Sequence, residues 1–226
     1  MRRTLAAFAL VLLIGSSAAQ DREPVALELV LALDSSASID DSEFALQIAG
    51  LSAAFRDPDV LEAVAAMRPL GAAVAVMQWG GPGESKVVIP WTRLDSARDA
   101  KAFAHVIGVI QRWQRTSATS IATALDDGRQ LLEKNRLEGQ RRVIDISGDG
   151  IDNGGLDLAA ARHRVLAEGI TVNGLAIEIE DRDLAEYYRD KVIGGAGSFV
   201  ERASDFEDFA RAIKAKLLRE LDPLQS

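Results

Sequence analysis

The sequence predicts an α/β protein: a doubly wound, mostly parallel six-stranded sheet with one antiparallel edge strand and helices on both faces. Three observations carry this. Apolar runs of strand length alternate with segments whose apolar residues recur at helical spacing. The strand-like runs are apolar nearly throughout, as strands covered on both faces must be. Finally, two of these runs are joined by Gly80-Gly81-Pro82-Gly83, a turn too short for a parallel crossover, so they form an antiparallel hairpin. The 226 residues are 48% hydrophobic and 27% charged, a globular composition in the size range of one larger domain.

The elements follow in order. Met1-Arg2-Arg3 is a basic head, residues 5–14 an apolar run too short to span a bilayer, and Ser17-Ala18-Ala19 a small-residue exit. Together they predict a signal peptide over residues 1–19, cleaved after Ala19, with the domain over residues 20–226. Residues 25–33 (VALELVLAL) read as a buried first strand. Residues 41–56 carry Phe44, Ile48, Leu51 and Phe55 at helical spacing, with Pro58 as the stop. Residues 72–79 and 86–89 are the two hairpin strands. Residues 96–110 and 120–134 are amphipathic helices. Residues 142–147 (RVIDIS) form the fourth strand, 156–168 a helix ended by Gly169, and 171–177 the fifth strand. Residues 182–192 form a helix, 198–202 a short sixth strand, and 205–221 a final helix closed by Pro223.

Composition then narrows the function. The formal charge is −8, and removing residues 1–19 takes away two arginines and no acid, leaving −10. So acidic a chain argues against nucleic acid or anionic lipid as the main partner, since phosphate binding needs a basic face. Cysteine is absent, which excludes disulfides, thiolate catalysis and Cys-ligated metal sites. No later apolar run is long enough to cross a membrane, so the mature chain is expected not to insert. The expected location is the periplasm or the medium.

In doubly wound folds ligands bind beyond the carboxyl ends of the strands, where the strand order reverses. The first strand runs into Asp34-Ser35-Ser36-Ala37-Ser38 and the fourth into Gly148-Asp149-Gly150, while Thr119 stands before a helix between them. Asp34, Ser36, Ser38, Thr119 and Asp149 thus offer two carboxylates and three hydroxyls. Hard oxygen donors of this kind suit Mg²⁺, Mn²⁺ or Ca²⁺ and suit soft metals poorly. Asp-x-Ser-x-Ser lets every second side chain turn toward one point as the strand unwinds. Because most donors are neutral, the ion would still attract an outside carboxylate.

At these residues the chain resembles the von Willebrand factor type A domain with its metal-ion-dependent adhesion site, in the form found in secreted bacterial proteins. Asp34, Ser36 and Ser38 match the family's first motif, Thr119 its second element, and Asp149 with Gly150 its third. The resemblance covers residues 26 to about 221. It implies one divalent cation, Mg²⁺ first, with Ca²⁺ or Mn²⁺ as alternatives. Ser36 and Ser38 would bind it directly, Thr119 directly in a high-affinity state, and Asp34 and Asp149 largely through water. The partner would be a protein presenting an Asp or Glu. Two departures from the family pattern stand out: Ser117-Ala118 replaces the glycines often found before the threonine, and Ser147-Gly148 replaces the usual apolar-Thr lead-in.

Plainer roles stand beside these. Ser36, Ser38 or Thr119 could cap helices, and Asp149 could be a turn residue. Asp152 and Asp157 read as caps of the following helix. Asp145-x-Ser147-x-Asp149-Gly150 imitates an EF-hand start, but Leu156 stands where Glu is required. Residues 81–86 lack the glycine that precedes lysine in a phosphate loop, and no Gly-x-Ser-x-Gly elbow occurs. His105 and His163 sit within helices and offer no evident general base. Trp79, Trp91 and Trp113 read as scattered packing. The expected function is therefore metal-dependent protein binding and not enzymatic. A metal-assisted hydrolase and a metal-free structural module are the alternatives.

Overall fold

The computed structural model describes residues 22–113, 118–179 and 182–222. The leader expected over residues 1–19, with its cleavage point at Ala19, lies outside the described residues, as do Ser117 and Pro223. The described chain runs β1 (Glu23–Asp34), α1 (Asp41–Ala54), α2 (Pro58–Ala66), β2 (Ala72–Trp79), β3 (Ser85–Leu94), α3 (Ala97–Ile107), α4 (Ile121–Glu133), β4 (Leu137–Gly148), α5 (Leu158–Ala167), β5 (Thr171–Ile177), α6 (Leu184–Tyr187), a π-helical turn (Tyr188–Val192), β6 (Val200–Ala203) and α7 (Phe209–Glu220).

The sheet order is β3-β2-β1-β4-β5-β6. All neighbours are parallel except β2 and β3, which form the expected hairpin with β3 at the edge. The order reverses between β1 and β4, so the carboxyl ends of these two strands flank the natural ligand crevice. Side chains alternate strictly. Leu27, Leu29, Leu31 and Leu33 pack with α1, α2, α3 and α7 on one face. Val30, Ala32, Ile144 and Ile146 pack with α4, α5 and α6 on the other.

Some boundaries differ from the sequence reading for local reasons. Pro58 does not merely end a helix: it stands first in α2, with Asp57 as the cap, where its missing N–H costs nothing. β3 runs on to Leu94 through Pro90, tolerated because an edge strand needs fewer donors and the β2–β3 register is already broken beside Val76. β4 begins at Leu137, where half-exposed polar residues pair with the start of β1; apolar patterning is weakest there. The helix expected over 182–192 is a single α-turn that passes into the π-helical turn. The final helix starts at Phe209 and not at residue 205.

The core contains one ionic cluster. Lys216 on α7 is fully buried between Asp145 on β4 and Glu220, at 3.0 and 2.9 Å. Asn173 Nδ2 donates to Glu220 at 3.1 Å. Two acids around one base would leave a negative charge in the interior if both were ionised. Burial, then the Glu220 carboxylate, push Asp145 up to about 8, against the pull of Lys216.

Two outcomes follow for urea unfolding. Lys216→Met leaves the buried Asp145–Glu220 pair without its cation and should cost about 3–5 kcal/mol. Because the folded Asp145 holds its proton while the unfolded one ionises near 3.8, its contribution is full below that pH and is lost as pH rises toward 8. Asp145→Asn should flatten that decline, and a slope equal to wild type would refute the assignment.

Candidate functional site

β1 ends at Asp34 and β4 at Gly148, side by side at the crevice. Asp34 is fully buried. Its Oδ1 accepts the Ser36 backbone N–H at 2.7 Å, which curls the chain tightly as it leaves the sheet. The loop then places Ser36 beside Ser38, with 3.2 Å between their hydroxyl oxygens. Ser38 Oγ donates to Asp149 Oδ1 at 2.8 Å. Asp34, Ser36, Ser38 and Asp149 therefore form one connected chain of oxygens, from beneath the surface to its opening.

Ser38, Thr119 and Asp149 line a cleft of about 470 Å³ together with Glu43, Asn153 and Ile151. Asp34 and Ser36 lie below it, at 0% and 1% exposure. Thr119 is held by a reciprocal pair: its N–H donates to Asn153 Oδ1 at 2.7 Å, and Asn153 N–H donates to the Thr119 carbonyl at 2.8 Å. All five residues named from sequence thus gather at one end of the sheet.

The capping roles fall elsewhere. Asp40 caps α1 in a reciprocal box with Glu43, so Ser36 and Ser38 are not needed there. Ser120, not Thr119, caps α4. Asp157 caps α5 as expected. Asp152 does not cap that helix: it accepts the Ala122 N–H at 3.2 Å and so tethers the β4–α5 loop to the start of α4. His105 and His163 are exposed on α3 and α5. Trp79 is buried in the core, Trp91 Nε1 donates to the Leu131 carbonyl at 3.3 Å, and Lys86 sits over Trp113; they form no common surface.

Three residues escaped the sequence reading. Arg112 is the first. Its guanidinium donates to the carbonyls of Ile39 at 2.7 Å and Ser35 at 2.8 Å, and also to that of Ser36. It clamps the loop that carries both serines. Its own segment is pinned by Gln78, which donates to the Gln111 carbonyl and accepts the Trp113 N–H. Residues 111–113 have no periodicity, so only a lone arginine after an apolar helix face could have signalled this. Asn153 is the second; its cue was an Asp- and Gly-rich loop after Asp149. Tyr188 is the third. Its ring is fully buried, and its Oη has no hydrogen-bond partner among the described residues.

Asp34 Oδ2 is likewise buried without a partner. Both oxygens abut Gly148: a Cβ there would lie 2.8 Å from Tyr188 Oη and 2.9 Å from Asp34 Oδ2. Glycine is therefore required, which accounts for the departure at that position. Burial, reinforced by the Asp149 carboxylate, pushes Asp34 up to about 7, against weaker pulls from Ser36 and Arg112. Buried polar atoms are almost always satisfied. An orphaned carboxylate oxygen, a second carboxylate and an oxygen-only donor set fit a hard divalent cation. Among the described residues, no cluster of three or more His, Cys, Asp or Glu is arranged for a metal; here hydroxyls make up the difference.

Comparison with protein families matches residues 24–225 to the family described as Protein of unknown function (DUF1194). Comparison with curated proteins gives no match. Among solved structures, the chain is similar to proximal thread matrix protein 1 from the mussel byssus, in a structure with a zinc-occupied MIDAS motif. The identity is 18% and the TM-score 0.64, over 88% of this chain and 49% of that one. It is similar to a von Willebrand factor type A protein from Catenulispora acidiphila at 17% identity and TM-score 0.60, over 87% and 43%. It is also similar to the von Willebrand factor domain of the type V pili tip protein Mfa5 from Porphyromonas gingivalis, at 11% identity and TM-score 0.55, over 85% and 96%. The chain spans about half the length of the mussel protein and less of the Catenulispora one. At these identities the likeness is one of fold, and the expected von Willebrand A architecture is borne out.

The Arg112 clamp is directly testable. Arg112→Lys keeps the charge but not the fork. It should lower stability by about 2 kcal/mol in urea unfolding and speed amide exchange across residues 35–39. Unchanged exchange there would show that the loop holds its own shape.

Proposed function

The chain belongs to the DUF1194 family, and we propose that it is an exported, metal-dependent protein-binding domain of the adhesion type. One divalent cation, Mg²⁺ first and Ca²⁺ or Mn²⁺ otherwise, would be held by Asp34, Ser36, Ser38, Thr119 and Asp149. The observation that carries this reading is the buried, unpartnered Asp34 Oδ2 beneath a cleft lined by Ser38, Thr119 and Asp149. Leaving a carboxylate there without a counter-charge is costly. Arg112 opposes that cost only weakly.

When bound, the cation would supply a strong, hard Lewis acid with room for one further oxygen ligand. The rest is done by this chain. Arg112 fixes the serine loop, Asn153 fixes Thr119, and Gly148 leaves Asp34 its space. The hydroxyls present donor oxygens without neutralising the ion, so an Asp or Glu carboxylate from a partner is the natural completing ligand. The zinc-occupied site in the mussel protein of the same fold supports a divalent cation at this position, and the pili tip protein supports a role in protein contact. Glu43, on the cleft wall, is engaged through its Oε2 with the Asp40 N–H at 2.7 Å, which disfavours it as a general base for hydrolysis. Among the described residues no helix is long and apolar enough to cross a membrane. Export itself rests on residues 1–19.

Thermal unfolding in Mg²⁺ against EDTA at matched ionic strength tests the site. A cation at a hundred times its Kd should add about 2.7 kcal/mol. Ser36→Ala should abolish that gain and leave the EDTA midpoint nearly unchanged; a loss equal in both buffers would make Ser36 merely structural. A second expectation comes from Asp34. Proton and cation compete for it, so calorimetric Mg²⁺ affinity should rise about tenfold per pH unit up to pH near 7 and then level off. An affinity flat from pH 5 to 8 would remove Asp34 from the ligand set.

A further inference from the structure

The cleft is not chemically uniform, and its asymmetry follows the sheet. Glu43 enters from the β1 side, at the start of α1. Ile151 follows β4 and Ile179 follows β5, on the other side of Asp149. The two isoleucines are 47% and 44% exposed. A single exposed isoleucine is ordinary on a protein surface. Two in one cleft beside a candidate ion site make an apolar wall that none of the described residues covers.

Resting on the metal–carboxylate reading above, we propose that this cleft takes an extended segment of a partner protein with one Asp or Glu and a large aliphatic side chain two residues away. The acid reaches the ion position beside Asp149, and the aliphatic group seats on Ile151 and Ile179. In an extended segment, residues two apart point the same way and stand about 7 Å apart. The Glu43 carboxylate on the opposite wall repels any second acid, so the segment is not an acidic run. The chain's overall charge of −8 works in the same direction. Seating the aliphatic group should contribute about tenfold in affinity, the discrimination a small apolar pocket supplies.

The probe is a random linear heptapeptide display library, panned on the immobilised protein in Mg²⁺ and eluted with EDTA. An Ile151→Ser/Ile179→Ser double variant is panned in parallel, with its thermal unfolding checked to confirm that it is folded. The expected result is peptides with a single acid and Leu, Ile or Val two positions away. On the double variant, the acid should persist and the aliphatic preference disappear. Acidic peptides without an aliphatic neighbour, runs of acids, or an aliphatic preference unchanged on the double variant would overturn this inference and leave the metal–carboxylate reading standing. If no EDTA-eluted peptide carries an acid, or none is enriched, the reading itself falls and takes this inference with it.

Discussion

β1 and β4 pair in parallel from Glu23↔Leu137 to Leu33↔Ser147 without a slip in register. That pairing is a physical constraint on everything around it. It brings two strands far apart in sequence to their carboxyl ends at the same height, so Asp34 and Asp149 face each other across the place where the sheet reverses order. It also keeps odd-numbered residues of both strands against α1, α2, α3 and α7, and even-numbered ones against the opposite layer. A shift of one residue would carry every side chain of β1 to the wrong layer. Asp34 would then turn toward the layer that packs against Leu33.

The molecule buries carboxylates on both sides of the same sheet, one group beside a buried lysine and one without. Asp145 points into the layer of α7, where the Lys216 ammonium lies 3.0 Å from it and 2.9 Å from Glu220 and supplies a counter-charge from within the chain, although both Asp145 oxygens and Glu220 Oε2 lack a hydrogen-bond partner among the described residues. Asp34 points into the other layer. Its Oδ1 accepts the Ser36 N–H, and its Oδ2 has no hydrogen-bond partner among the described residues. The first cluster has its counter-charge in Lys216 and ties β4, β5 and α7 together through it and Asn173. The second is complete only with something from outside. Arg112, Gln78 and Asn153 add no donor oxygens to it; they hold in place the backbone whose side chains do.

Much of this was legible before any coordinates. The apolar strands, the Gly-rich hairpin and the Asp-x-Ser-x-Ser loop each carry a local signal strong enough to survive tertiary context. What stayed hidden depends on contacts between distant segments. α2 was lost because Pro58 looks the same as a helix stop and as a first helical residue; only the cap at Asp57 separates them. The first half of β4 is polar because it pairs near the sheet's end, so it lacks the pattern by which strands are found. Thr119 and Ser120 are chemically interchangeable as caps, and the backbone bond from Ser120 to Gly80 decides which one caps. Arg112 carries no motif at all: three carbonyls from residues 35–39 define its role, and no spacing rule connects them to it.

Gly148 makes the site unusually intolerant of drift. A codon for glycine reaches only residues that bear a β-carbon, and any such carbon would press on both the Asp34 carboxylate and the Tyr188 hydroxyl. No intermediate side chain is small enough to be partly accommodated, so the position cannot be explored gradually. A lineage can keep glycine and the oxygen cradle, or abandon both in a single step. In variants of this chain that keep Tyr188 and Asp34 in place, residue 148 is thus a one-letter marker that separates those still able to form the cradle from those that retain only the architecture.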